Sequence, residues 1–80
     1  MTDSVLAPIV YDPVTDSMYV KLRPEAGVDS RVDDARDLVV DLGEDGEPVG
    51  YDIQHASDHP DVVAEALRLM RRYLPSRAAE

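Results

Sequence analysis

Between residues 37 and 57, apolar and polar side chains alternate in two runs. Leu38, Val40 and Leu42 are separated by Val39 and Asp41, and Val49, Tyr51 and Ile53 by Gly50 and Asp52. A period of two marks strands with one buried face. Asp45-Gly46 lies between the runs and has the chemistry of a two-residue hairpin loop, whose positions both need positive φ. A turn centred there sets Leu42 against Val49, Val40 against Tyr51 and Leu38 against Ile53, so both apolar sets fall on the same face of the ribbon.

The same grammar extends outward. Residues 5–11 enter the sheet, with Pro8 marking an edge strand or a late start. Ile9 and Tyr11 share a face. In the turn that follows, Asp12 can accept from backbone N–H groups ahead of it and Pro13 pre-sets φ. Met18, Val20 and Leu22 then alternate with Tyr19 and Lys21, so pairing Tyr11 with Met18 and Ile9 with Val20 makes a first hairpin. Residues 23–36 carry Pro24 and Gly27 and a weak alternation of Val28, Ser30 and Val32, which predicts a short intervening strand. Ser57, Asp58 or His59 caps a helix with Pro60 in its first turn, and Pro75 stops it. Within it Val62, Val63, Ala66, Leu67, Leu69, Met70, Tyr73 and Leu74 fill an arc of roughly 160°, opposite Ala64, Glu65, Arg68, Arg71 and Arg72.

The pattern therefore predicts an α+β fold: an antiparallel four- to five-stranded β-meander with one C-terminal amphipathic helix packed on one face. Its expected core is Leu38, Val40, Leu42, Tyr51, Ile53, Val63, Leu67 and Met70. The chain reads as a single domain over 1–80, with 1–4 a frayed end, 5–56 the sheet, 58–74 the helix and 75–80 a tail. A domain this small buries roughly 60–65% of the surface its unfolded chain exposes, so an open sheet and a wide helix arc favour a homodimer. The expected interface is Leu69, Tyr73 and Leu74, flanked by Arg68, Arg71 and Arg72.

Charge narrows the partners. Residues 1–65 hold sixteen of the seventeen acids and four of the eight bases, a net −12, whereas 66–80 hold four arginines and one glutamate, +3. Such a surface repels nucleic-acid phosphates over most of its area and suits a basic protein partner. The chain has no cysteine, which excludes disulfides and thiolate metal sites. No apolar run approaches the ~18 residues of a membrane span and the start lacks a signal-peptide pattern, so no membrane association and a cytoplasmic location are expected.

Two blocks also carry a resemblance. Tyr11, Asp12, Pro13, Asp16, Tyr19, Val20 and Leu22 form the first, and Val40, Asp41, Asp45, Gly46, Val49, Gly50, Ile53, Ala56 and Ser57 the second. In this order and spacing they resemble the domain-of-unknown-function 2283 family of small prokaryotic proteins, over roughly residues 9–57. Tyr51, Asp52 and His55 depart from the family's usual residues. The resemblance implies a small α+β fold and no established activity or catalytic residue. Some members look like partners of small toxin-like proteins.

Candidate chemistry is sparse. Residues 41–46 with Asp52 resemble a calcium loop, but Gly43 stands where a second ligand is needed, so a solvated hairpin tip is expected. His55 and His59, near Asp52, Asp58 and Asp61, have the spacing of a zinc-binding pair only on a helix, which Pro60 argues against. Ser57 lacks a nucleophile elbow and fits a cap. Asp12 and Asp16 flank a turn, where local hydrogen bonding explains them better than acid–base work. The expectation is no enzyme, no catalytic or metal residue and no cofactor. The protein reads as an interaction module, possible as the neutralising half of a toxin–antitoxin-like pair. The alternatives are metal or small-ligand binding through His55 and His59, or a self-associating structural subunit.

Overall fold

Among the described residues five strands and one helix form, in the order the hydrophobic pattern sets out. The computed structural model describes residues 9–73, so the frayed end, the tail and the start of the first predicted strand lie outside the described residues. The strands are β1 (Ile9–Asp12), β2 (Ser17–Lys21), β3 (Asp29–Asp33), β4 (Leu38–Leu42) and β5 (Pro48–Ile53), followed by α1 (Pro60–Tyr73). The weak alternation before residue 36 is indeed a strand. Single 3₁₀ turns, Asp34–Arg36 and Ala56–Asp58, precede β4 and α1, and the helix starts at Pro60, which puts His59, the last of the three expected caps, in the cap position.

The fold class is as expected, with every strand pair antiparallel, but the strand order is β1-β2-β5-β4-β3. A sequential meander would put β3 in the middle and β5 at an edge. Burial explains the difference. Asp29, Ser30, Arg31 and Asp33 of β3 could not lie under the helix without desolvating charge, so β3 takes an edge and the apolar strands β2, β5 and β4 take the centre. The connection from β2 to β3 crosses the sheet end beside the β4–β5 hairpin: the Leu22 N–H donates to the Val49 carbonyl at 2.9 Å and the Val28 N–H to that of Leu42 at 2.8 Å.

Both hairpin registers follow the hydrophobic pattern, with one exception. Ile9 pairs with Val20, Tyr11 with Met18, Val40 with Tyr51 and Leu38 with Ile53. Leu42 pairs with Pro48, however, because the ladder shifts between Asp41 and Leu42 and leaves Val49 as the extra residue. The cause is the turn. Only Gly46 is left-handed there, at φ 80°, while Asp45 is not. The Gly46 N–H donates to the Gly43 carbonyl and the Gly43 N–H to that of Glu47, each at 2.9 Å. This closes a three-residue loop rather than the two-residue one that Asp-Gly signals, and the bulge takes up the extra residue.

Val20, Leu22, Leu38, Val40, Tyr51, Ile53, Ala56, Val62 and Ala66 make the buried core. The helix lies over β2 and β5, pressing Val62 and Ala66 onto the sheet with Val63, Leu69 and Met70 packed around them. Leu67 sits at the margin of this face, only half-buried, which corrects its place in the expected core; Leu42, Val63 and Met70 are likewise packed against the core rather than within it. The buried arc is rotated toward Val62 because Glu65, assigned to the solvent side, turns inward. It accepts from Tyr51 Oη at 2.6 Å and from Arg36 Nη1 at 3.0 Å. Burial and then Glu65 push the Tyr51 hydroxyl up to about 12.

On the opposite face the Tyr19 side chain crosses β5 to donate to Asp41 Oδ2 on β4 at 2.8 Å. Its ring occupies the space over Gly50, where a Cβ would collide with the tyrosine hydroxyl and lie 2.7 Å from Cζ. Glycine is therefore required at position 50 for packing and not for its φ.

Two stability outcomes follow. Ile53→Ala should cost about 2–5 kcal/mol and Leu67→Ala clearly less, read as urea midpoints; equal costs would contradict the packing. Gly50→Ala should cost about 1–3 kcal/mol by overpacking, and adding Tyr19→Ala should recover part of that loss relative to Tyr19→Ala alone.

Candidate functional site

The polar side chains that sequence reading treated separately meet at one end of the sheet. Three non-glycine residues among those described have left-handed backbones: Asp16 (φ 55°), Asp37 (φ 50°) and His55 (φ 52°). They close the β1–β2 turn, lead into β4 and leave β5, and antiparallel pairing brings these points together. Asp and His tolerate this conformation better than most residues, but it is strained for any side chain. Local hydrogen bonds hold it in place.

Asp16 is the first centre. Its Oδ1 accepts from Tyr11 Oη at 2.7 Å, its Oδ2 from Ser57 Oγ at 2.7 Å, and the Ser57 N–H reaches both oxygens at 3.2 and 3.3 Å. Its backbone carbonyl accepts from the Ala56 N–H at 2.8 Å. The Ser57 hydroxyl, and after it the Tyr11 hydroxyl, holds the Asp16 carboxyl below its ordinary range. Asp12 meanwhile accepts from the Val14 N–H at 2.9 Å, the local bond expected of it.

Asp37 is the second centre. His59 Nε2 lies 3.0 Å and His55 Nδ1 3.3 Å from the same Oδ2. A carboxylate only accepts, so these contacts place a proton on Nε2 of His59 and on Nδ1 of His55. The Gln54 N–H donates to the Asp37 carbonyl at 2.8 Å. His59 first, and then His55, keeps Asp37 below its ordinary carboxyl range.

The two histidines thus come together, though not on a helix face, and among the described residues no group of three or more His, Asp or Glu side chains is arranged to hold a metal ion. The Ser57 hydroxyl donates to Asp16, and Ser57 sits in the 3₁₀ turn, not at the helix cap. The hairpin tip is solvated. There Asp45 accepts from the Glu47 N–H at 3.1 Å and from Arg23 Nη2 at 3.1 Å, while Asp52 accepts from Gln54 Nε2 at 2.9 Å.

Beside the Asp16 corner an open apolar groove of about 400 Å³ runs between the β1–β2 hairpin and the first turns of α1, lined by Tyr11, Met18, Ala56, Pro60, Val63 and Ala64. Ser57 completes the lining. Of the expected interface, Leu69 is half-buried against the core, Tyr73 ends α1, and Leu74 lies outside the described residues. Arg68, Arg71 and Arg72 are exposed.

The pattern of the family described as "Protein of unknown function (DUF2283)" matches residues 9–57. The chain belongs to the DUF2283 family. The matched span holds the whole sheet and ends on Ser57, so both partners of Asp16, Tyr11 and Ser57, fall inside it. No curated protein and no solved structure matches the chain. Among the described residues no helix is long and apolar enough to cross a membrane.

Sequence reading had named Asp16, Ser57, His55 and His59 but missed that Asp37 gathers the histidines. The available signal was that Asp37 lies directly ahead of an apolar strand, where its side chain has no place in the core.

The acid limb of stability tests this corner. Asp16 and Asp37 have depressed folded-state pKa values, so their contribution is present above the ordinary aspartate value of about 3.9 and is lost as pH falls through the lower folded value. Urea midpoints should therefore fall on acidification below about pH 4, and Asp16→Asn or Asp37→Asn should flatten that fall. An unchanged slope in both variants would show that the carboxylates do not brace the fold.

Proposed function

We propose that this DUF2283 protein is a non-enzymatic protein–protein interaction module that docks on a basic partner through the edges of its sheet. One observation carries the reading. Every large apolar side chain exposed among the described residues lies on an edge strand or beside one: Ile9, Val10 and Tyr11 on β1, Val14 in the turn after it, Val28 just before β3 and Val32 on it. An open sheet edge presents unpaired N–H and C=O groups, and exposed apolar side chains along it favour strand addition. The formal charge of −9 selects a basic partner and speeds its encounter. Neutralisation of a small toxin-like protein is the finer form of this reading, since an added strand would cover the partner's basic surface.

Self-association is a second reading favoured by β1. Two copies of Ile9-Val10-Tyr11 can pair antiparallel about Val10 without opposing charges, whereas self-pairing of β3 about Arg31 would set Asp29 against Asp33. Net charge opposes such a dimer at long range, so its mass by light scattering should rise with salt.

The test uses tagged full-length chain expressed in the cells that encode it. A protein recovered in fixed stoichiometry with the wild type should be lost from a Val10→Lys, Val32→Lys double variant, because lysine on an edge blocks strand addition. Both positions are exposed, so the fold should survive within about 0.5 kcal/mol. Retention of the same partner by the double variant would remove the sheet edges from its function.

A further inference from the structure

We infer that the outer edge of β1 and the groove beside it form one docking site for an extended segment of a basic partner protein, in which apolar residues alternate with lysine or arginine. The inference rests on the interaction-module reading and specifies which edge is used and what it takes.

The helix lies over β2 and β5, which leaves β1 with all four residues exposed and, among the described residues, paired on one side only. Tyr11 lies opposite Met18, and the groove lies above this pair, between the strands and Pro60, Val63 and Ala64 of α1. A strand added to β1 alternates its side chains between the two faces of the sheet. One set comes up beside Ile9 and Tyr11, at the groove. The other comes down beside Val10 and Asp12.

Charge decides what the second set is. From residue 9 to residue 20 the charged side chains are Asp12 and Asp16 alone, both acidic, and the first base is Lys21. Asp12 is exposed on the face away from the helix, where a lysine or arginine of the added strand reaches it. The first set faces a groove whose lining is apolar apart from the Tyr11 and Ser57 hydroxyls, and both of those bond Asp16. Backbone pairing then supplies affinity, and the groove and Asp12 supply selectivity. The other edge lacks this combination, because β3 carries Asp29, Arg31 and Asp33 on its helix-side face, with a base in the middle, and only Ser30 and Val32 on the other. A second copy offers Ile9 and Tyr11 to the groove, but it brings another −9 where a positive segment is wanted.

The probe is a short blocked peptide of alternating lysine and valine, titrated into the isotopically labelled full-length chain and followed by two-dimensional NMR. Amide shifts are expected at residues 9–12 and at Val63 and Ala64. Replacing lysine by glutamate, or N-methylating the valines so that they cannot pair, should each weaken binding at least about tenfold. Ala64→Arg places a large cation at the groove from an exposed helix position; it should weaken the lysine peptide about tenfold with an unchanged melting temperature. Equal binding of the glutamate or N-methylated peptide, or no binding at millimolar peptide, would overturn the site. Shifts confined to β3 would overturn it too while leaving the interaction-module reading intact, which fails only if the edge-lysine double variant keeps its partner. A free protein that runs as a dimer and is made monomeric by Ala64→Arg would put a second copy in the groove and overturn the foreign-strand assignment.

Discussion

The turn between β5 and α1 is held from two sides by carboxylates, and the position of the helix depends on that. Asp16 reaches it from the first hairpin through Ser57, and Asp37 reaches it from the start of β4 through His55 and His59. Between these anchors Ala56 is buried under the helix, and the His59 carbonyl accepts the first helical N–H groups, from Val62 and Val63, at 3.1 Å. These anchors act with the backbone bonds from Gln54 to Asp37 and from Ala56 to Asp16 to direct the chain leaving β5, so that Val62 and Ala66 are delivered to the sheet. Three left-handed backbones at this corner are the local strain that these bonds offset.

A second constraint is the charge of the chain. With seventeen acids in eighty residues, a core can form only if carboxylates are kept at its margins and given donors there. Two tyrosines do much of this. Tyr51 rises from the central strand to Glu65 on the helix, where Arg36 also arrives, and Tyr19 crosses the other face of the sheet to Asp41. Each ring buries apolar area while its hydroxyl satisfies a carboxylate. The polar strand β3 is displaced to an edge for the same reason, and the non-sequential strand order follows.

The residues that carry the resemblance to the DUF2283 family acquire structural roles from this arrangement. Tyr11, Asp16, Ala56 and Ser57 build the corner; Tyr19, Asp41 and Gly50 build the crossing on the far face; Asp45 and Gly46 make the hairpin loop; Val20, Leu22, Val40 and Ile53 are core. Folding thus accounts for these residues. What is left over for function is the surface that folding does not use: two sheet edges, an apolar groove and an acidic field around them.

The sequence by itself determined the strands, the helix, the two hairpins and the register of four of their pairs, because period-two and period-3.6 alternation and the turn residues act over a few neighbouring positions. It also determined the charge balance. The tertiary structure decided the rest. Strand order depends on which strands compete for the centre, a comparison across the whole chain that no local window contains. The bulge at Val49 follows from the three-residue loop at Gly46, and the Val49 carbonyl accepts from the distant Leu22 and Arg23 amides of the β2–β3 connection. Glu65 faces inward only because Arg36 and Tyr51 wait there, and Asp37, His55 and His59 form one cluster only because antiparallel pairing brings the ends of β4 and β5 together. Those contacts join residues 14 to 29 positions apart, a separation over which periodicity carries no information.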